Sequence, residues 1–426
     1  MEQKIKKIIE YSFLFFVFIF FWQTKLIIFP AETNYNEIAL YLNYLVLGLI
    51  LILFIFYLIR YKRREFVEKF DFARYWVILA GLEFFIFISV FISSVRGVSI
   101  FKYFLFLLAI GLLFLMTQFK FNFKKIISVF LLAILIQAGL GIFQFFSQET
   151  FSNKYLGIAS HSASVLGVSV VENDWGRFGR AYGGTEHPNI FGALMFFGVI
   201  FLILFFYKND FVLPKKIFFY LSLALLLLAL LVSFSRGAYL ALGLSLLFLF
   251  FVSFFEKKNF QKYLPVFSFS LVFLLVFFFV FQPLLINRFK IDSRLEKISI
   301  DERSDQLKTS FKIIKDSPWI GVGLGSYHNE LLALNPDWKA YQAQPVHNVF
   351  LLSWAEIGLW GFIFFCSFLL CIIRKNIVNI YYFPVFIGLF VFMTLDHWLW
   401  SLPFGLLFMF FIISLTFYFK CDIVSD

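Results

Sequence analysis

Forty residues separate Lys216 from Lys257, and apart from Arg236 and the closing Glu256 none of them is charged. At 1.5 Å per helical residue they reach about 60 Å, twice the hydrocarbon thickness of about 30 Å, so the run reads as two spans joined by a turn at Ser235-Arg236-Gly237. Runs of this kind recur along the chain. They are continuous and do not alternate, which excludes a porin-type barrel and leaves helices as the only means of satisfying the backbone in lipid. With 61% hydrophobic residues, 15% charged and a mean hydropathy of +0.87, a set of soluble domains is excluded as well.

The expected fold is therefore all-α and polytopic, with about twelve transmembrane helices. Their approximate ranges are 8–29, 38–59, 75–95, 101–118, 126–147, 190–207, 217–234, 238–255, 263–286, 348–373, 380–400 and 402–419. The apolar stretch after Lys7 runs nearly to Pro30, too long for a cleaved signal, and reads as an uncleaved first span. The net charge of +11 is mostly topology rather than a mark of nucleic-acid binding. With both termini in the cytoplasm, 21 of the 37 Lys and Arg fall inside, including six between Arg60 and Arg74. Only Lys25, Arg96, Lys102 and Arg236 lie near outer helix ends. Cys366, Cys371 and Cys421 give neither a disulfide framework nor a metal-ligand spacing.

The chain divides into residues 1–147 with helices one to five, a first long outer segment 148–189, helices six to nine over 190–286, a large outer segment 287–347, and helices ten to twelve with a short cytoplasmic tail over 348–426. Within the larger outer segment, Asp301–Lys315 reads as an amphipathic helix, with Leu307, Phe311 and Ile314 at i, i+4 and i+7 and a Ser317-Pro318 stop. It is placed to lie on the membrane as a lid. Thr150–Val171 reads as polar loop.

Polar chemistry gathers where the outer segments meet the membrane. Arg236 stands at a boundary turn, where a guanidinium either snorkels to headgroups or clamps an anion through its planar donors. Arg180-Ala-Tyr-Gly-Gly-Thr-Glu-His-Pro-Asn189 is dense in donors and turn formers; Asn189 or Thr185 as a helix cap is the plain reading. Pro318-Trp-Ile-Gly-Val-Gly-Leu-Gly325 offers either a backbone nest for phosphate or an ordinary loop, and it lacks the dinucleotide spacing. His347, at the start of the tenth span with Asn348, is suited to accept a proton from a hydroxyl. Glu356, nine residues on, falls on roughly the same helical face and needs a partner, because an unpaired carboxylate in the membrane costs about 2.5 kcal/mol or more. All five histidines fall on the outer side, but neither a zinc spacing such as H-E-x-x-H nor an Asp-x-Asp pair nor a Walker A sequence occurs. No metal and no other cofactor is expected.

Taken in order, Arg180 to Asn189, Ser235-Arg236-Gly237, Arg303 with Pro318 to Gly325, and His347-Asn348 with Glu356-Ile-Gly358 resemble the motifs of the O-antigen ligase and polymerase superfamily, the Wzy_C-like membrane glycosyltransferases. The resemblance covers mainly residues 175–365. It implies a GT-C-type fold that moves a glycan from an undecaprenyl diphosphate donor to an acceptor hydroxyl on the outer side of the inner membrane, inverting and without metal or nucleotide. By motif, Arg236 and Arg303 would hold the donor diphosphate and His347 would be the base. Arg180 is a further candidate for the diphosphate, with His187, Asn189, Asn348 and Glu356 binding or supporting. The expected partners are the lipid-linked donor, a lipid- or glycan-linked acceptor and membrane lipids, with no nucleic acid. The physical requirements agree: a lipid diphosphate leaves as an anion and needs a charge clamp, whereas an attacking hydroxyl needs a base.

The expected activity is that of an O-antigen ligase in lipopolysaccharide biosynthesis, with a lipid A core sugar as acceptor; moderate length and modest outer loops favour it over a protein O-oligosaccharyltransferase, and a polysaccharide polymerase stays open as the alternative. A transporter or flippase of lipid-linked anionic substrates is the alternative from another class. It would draw on Glu83, Glu356 and Asp396 within or near spans and on matched halves, of which no repeat is evident.

Overall fold

The computed structural model describes residues 1–62, 74–165, 167–173, 176–208, 213–290, 294–339, 342–376 and 380–421. Arg63, Arg64 and Lys69, counted above toward the cytoplasmic charge, lie outside the described residues. Within them the chain is all-α, with two small antiparallel hairpins. In chain order come α1 (Glu2–Ile19), the hairpin β1 (Lys25–Phe29) and β2 (Ile38–Tyr41), α2 (Leu42–Tyr57), α3 (Arg74–Ile92), α4 (Arg96–Gln118) and α5 (Phe123–Ser147). A second hairpin, β3 (Val170–Asn173) and β4 (Gly176–Gly179), precedes α6 (Pro188–Lys208), α7 (Leu213–Val232), α8 (Arg236–Phe254) and α9 (Lys257–Phe289). Then follow α10 (Arg294–Asp316), α11 (Tyr327–Leu334), α12 (Val349–Asn376), α13 (Phe383–Leu395), the single turn α14 (Trp398–Ser401) and α15 (Pro403–Cys421).

Nine of the described helices, α2 to α9 and α12, are long and apolar enough to cross a bilayer, and they coincide with the second to tenth expected spans. The chain is a multi-pass membrane protein. On α2, Tyr44, Leu47, Ile50 and Phe54 are buried while Leu45, Leu49, Ile52 and Phe56 are exposed. A helix apolar on both faces, one of them uncovered by protein, is what lipid solvates. α6 is the exception: every residue from Gly192 to Leu204 is buried, which places this helix at the centre of the bundle.

Three expected spans differ. The first helix stops at Ile19, and residues assigned to its second half form β1, paired with β2 and fastened by the 2.5 Å Lys25–Glu37 ion pair. β-branched Ile27 and Ile28 followed by Pro30 favour a strand and turn over a helix. The eleventh ends at Leu395, because Asp396 is fully extended (φ −152°, ψ 167°), and α14 lies between it and Pro403, where α15 begins. The helices Ile380–Leu395 and Pro403–Tyr418 are apolar but short.

The outer-segment helix is longer than expected, Arg294–Asp316, and it buries a different face. Glu296, Ser310, Ile313 and Ile314 are buried, whereas Leu307 and Phe311 are exposed. The helix turns its polar and β-branched stripe inward because Glu296 pairs with arginines there, as described below. β3 and β4 arise in a segment read as loop, their strands alternating too briefly to register as a pattern.

Candidate functional site

The turn between α7 and α8 is as tight as its position between two apolar runs requires. Phe234 adopts φ +48°, Ser235 accepts a 3.4 Å hydrogen bond from Ala238 N as the cap of α8, and Arg236 is the first residue of that helix. The segment before α6 docks onto this turn. Ala181 N donates to Val232 O, and Arg180 Nε donates to Ser233 O at 2.7 Å. Two glutamines on the apolar helix α5 explain how so polar a segment is buried. Gln144 Oε1 accepts from Gly183 N and Gln137 Oε1 from Gly184 N, at 2.8 and 2.7 Å. Seven residues apart, they lie on one face of α5.

From Arg180 a chain of polar contacts runs to His347. Arg180 donates to Asn189 Oδ1 at 2.9 Å, and Asn189 Nδ2 donates to Asp396 Oδ2 at 3.1 Å. Asp396 Oδ1 accepts from His397 N at 2.8 Å and faces His347 Nδ1 at 3.4 Å. His347 Nε2 makes no hydrogen bond among the described residues. The His347 side chain is 22% exposed, so this nitrogen is open to a ligand while the other faces a carboxylate. His397 packs its ring 4.9 Å from that of His347 and bonds Ser401 Oγ through Nδ1 at 2.7 Å. Asn348 caps α12, accepting from Leu351 N at 2.9 Å, and ties it to α13 by donating to Thr394 O at 3.1 Å.

His187 is the side-chain cap of α6, the place the plain reading gave to Asn189 or Thr185. Its Nδ1 accepts from Asn189 N at 3.1 Å while its Nε2 meets Ser169 Oγ at 2.9 Å. Burial, then the neighbouring Arg180, push its pKa down to about 3, so it is a neutral hydrogen-bonding group at physiological pH. The same burial, with Arg288 adding to it, lowers Arg180 to about 9, which leaves it cationic.

A second cluster lies beside the first. Glu296, only 3% exposed, ion-pairs with Arg236 at 2.5 Å and with Arg288. Arg288 also donates to Phe234 O at 3.2 Å. Arg303, half-buried on α10, feels Arg236, Asp396 and Glu296 but makes no hydrogen bond or ion pair among the described residues. The structure thus brings Arg180, His187, Asn189, Arg236, Arg303, His347 and Asn348 to one end of the bundle.

Glu356 sits apart, accepting from Trp400 Nε1 at 2.8 Å where α12 breaks at Gly358 (φ +69°). The Pro318–Gly325 stretch is spliced into that break. Val322 N donates to Ala355 O, Gly323 N to Glu356 O and Leu359 N to Pro318 O, at 2.9, 3.0 and 2.9 Å. Gly321 has φ +70°, and a Cβ there would meet the Glu356 backbone at 2.6 Å. The N–H groups of Gly321, Val322 and Gly323 are thus taken by carbonyls, and the stretch serves as a joint.

Sequence reasoning left out Asp396 as a partner of His347, and it left out Arg288 and Glu296. A lone Asp-His pair at the end of an apolar run was the available signal for the first. For metal binding, His347, Asp396 and His397 offer ligand atoms within 4.8 Å of one another, the one such described group that includes the proposed base. With Nδ1 of His397 engaged by Ser401, its Nε2 would have to be the ligand.

Residues 221–366, from within α7 to within α12, match the family described as O-antigen ligase. They carry Arg236, Arg288, Glu296, Arg303, His347 and Glu356; Arg180, His187, Asn189 and Asp396 lie outside the matched stretch and reach the site through the fold. No curated protein sequence matches the chain at a significant level.

Proposed function

With a glycosyltransferase domain of the O-antigen ligase family at residues 221–366 as the premise, we propose that the chain transfers a glycan from undecaprenyl diphosphate to an acceptor hydroxyl, as a ligase onto a lipid A core sugar. The observation that carries this reading is a single imidazole with one nitrogen facing a buried carboxylate and the other without a hydrogen bond among the described residues, while Arg303, unpaired among those residues, interacts electrostatically with the same carboxylate.

His347 Nε2 takes the acceptor proton as the acceptor oxygen bonds the anomeric carbon. The bond from that carbon to the phosphate oxygen breaks, and its electron pair leaves with the diphosphate. One in-line displacement inverts the centre. Asp396 orients the ring and stabilises the imidazolium, as a carboxylate behind a histidine does. Arg303 and Arg236 meet the charge growing on the leaving diphosphate. Arg180, Arg236, Arg288 and Arg303 set against Glu296 and Asp396 leave two positive charges, the complement of a diphosphate diester.

The reaction needs no metal on this reading. The site faces the outer side of the inner membrane and both termini face the cytoplasm, in keeping with the basic residues at the far end of the bundle, where Lys125 pairs with Glu10 at 3.1 Å. The twelve-span count rests on α1, α13 and α15 crossing as well.

The test is to incubate purified protein with an undecaprenyl-diphosphate glycan and candidate acceptors and to identify the product by mass. Whole glycan on a core oligosaccharide supports the ligase. Lengthened glycan on the carrier points to a polymerase, glycopeptide to a protein transferase, and no transfer with any acceptor defeats the enzyme reading.

A further inference from the structure

The Arg236 guanidinium must be in place before an anion reaches it, and Glu296 is the residue that holds it. We infer that Glu296 is a positioning residue of the donor clamp: a buried carboxylate that fixes Arg236 and Arg288 and stays in place while the donor binds. The inference rests on the reading of Arg236 as a diphosphate ligand.

Three features support it. Glu296 is 3% exposed, while the Arg236 side chain is 29% exposed, so the carboxylate lies behind the guanidinium and not between it and solvent. The ion pair occupies one nitrogen of Arg236, and a guanidinium carries five N–H donors in a fork, so the outward donors stay free for phosphate. Arg288 is fixed in turn by its bond to Phe234 O, in the very turn that launches Arg236. Glu296 thereby closes a frame around the start of α8, made from the end of α9, the first turn of α10 and the 233–236 turn. Without its charge, two partly buried guanidiniums face each other unscreened, and the more exposed one, Arg236, moves outward.

The alternative, that Glu296 is a stand-in anion displaced by the donor, predicts the opposite sign. Steady-state transfer by the full-length purified protein, with undecaprenyl-diphosphate glycan and core oligosaccharide varied separately, decides between them. Glu296→Gln should raise the donor KM about tenfold, leave the acceptor KM unchanged and change kcat less than threefold. Glu296→Asp should recover most of the loss, which a merely structural role would not give. An unchanged or lowered donor KM in Glu296→Gln overturns the inference. If that variant does not insert, Arg288→Lys, which keeps the charge but loosens the frame, should raise the donor KM severalfold, and no rise there counts against the inference equally. Arg236→Ala serves as the reference: a donor KM unmoved by it removes the clamp reading itself, whereas a rise there with none in Glu296→Gln removes the positioning role alone.

Discussion

Asp396 Oδ1 stands 3.4 Å from His347 Nδ1, although one residue ends α13 and the other precedes α12. Two helix termini are thus pinned at the proposed base. Asp396→Asn keeps the shape and removes the charge that favours Nδ1 as the protonated nitrogen. We expect kcat to fall by about 10²- to 10⁴-fold with little change in either KM, read from initial rates of glycan transfer. A fall below tenfold would make Asp396 an ordinary helix-end residue.

His347→Ala should abolish transfer while the protein inserts and purifies normally, since the adjacent Asp396 and His397 are both buried and cannot replace its Nε2. Transfer near the parent rate would remove the proposed base. The His347, Asp396 and His397 grouping makes a companion measurement necessary. Activity should be unchanged in EDTA; loss that one divalent ion restores would turn those three side chains into ligands.

Arg303→Ala is expected to raise the donor KM and lower kcat, together costing about 2–4 kcal/mol of transition-state stabilisation, the range for removing one donor from an anion site. Arg303 has no hydrogen-bond or ion-pair partner among the described residues, so folding should be untouched, and thermal unfolding of the detergent-solubilised variant checks this. A large loss of stability with unchanged donor KM would assign Arg303 a structural place.

How much of this was open to sequence reasoning follows from what sets each feature. Spans two to ten are dictated by local hydropathy, and the run from Lys216 to Lys257 even locates the Ser233–Arg236 turn at its midpoint. The Arg236 and His347 candidates were legible because a cation or an imidazole is conspicuous at the end of an apolar run, whereas Arg303, one charge among many in its segment, came from the family resemblance alone. Their wiring was not. Gln137 and Gln144 look like ordinary polar residues of a span until Gly183 and Gly184 are laid against them. Glu296 was hidden because the visible apolar stripe of α10, Leu307 to Phe311, is the face that stays uncovered. Glu356 shows the converse error of a periodicity argument: nine residues place it near the His347 face only if both lie in one helix, but α12 begins at Val349, after His347, and Trp400 takes the carboxylate.

The splice at that break gives a stability prediction. Gly321 and Gly358 both take left-handed φ, and a Cβ on either would lie 2.3–2.6 Å from backbone of the other strand of the joint. Gly321→Ala combines an unfavourable φ with a backbone clash that no side-chain rotation relieves, and should destabilise by about 1–3 kcal/mol or more. The check is the thermal midpoint in detergent, with Gly243→Ala, whose Cβ meets nothing within 4 Å, as the control.

Acid should loosen the site through His187. Its pKa is about 3 in the folded protein, against the ordinary imidazole value of about 6.5 in the unfolded chain. Between those two values the unfolded chain binds the extra proton, so stability rises with pH across the window and is lost as pH falls through it. The physical cause is that Nδ1 must stay unprotonated to accept from Asn189 N, so the folded protein forgoes a proton that the unfolded chain takes up. His187→Gln retains a hydrogen-bonding side chain without a titration in this range. Its thermal midpoint should be lower than the parent's at pH 7 but should drop less between pH 7 and pH 4. Parallel curves for the two proteins would mean that His187 does not stay neutral at the head of α6.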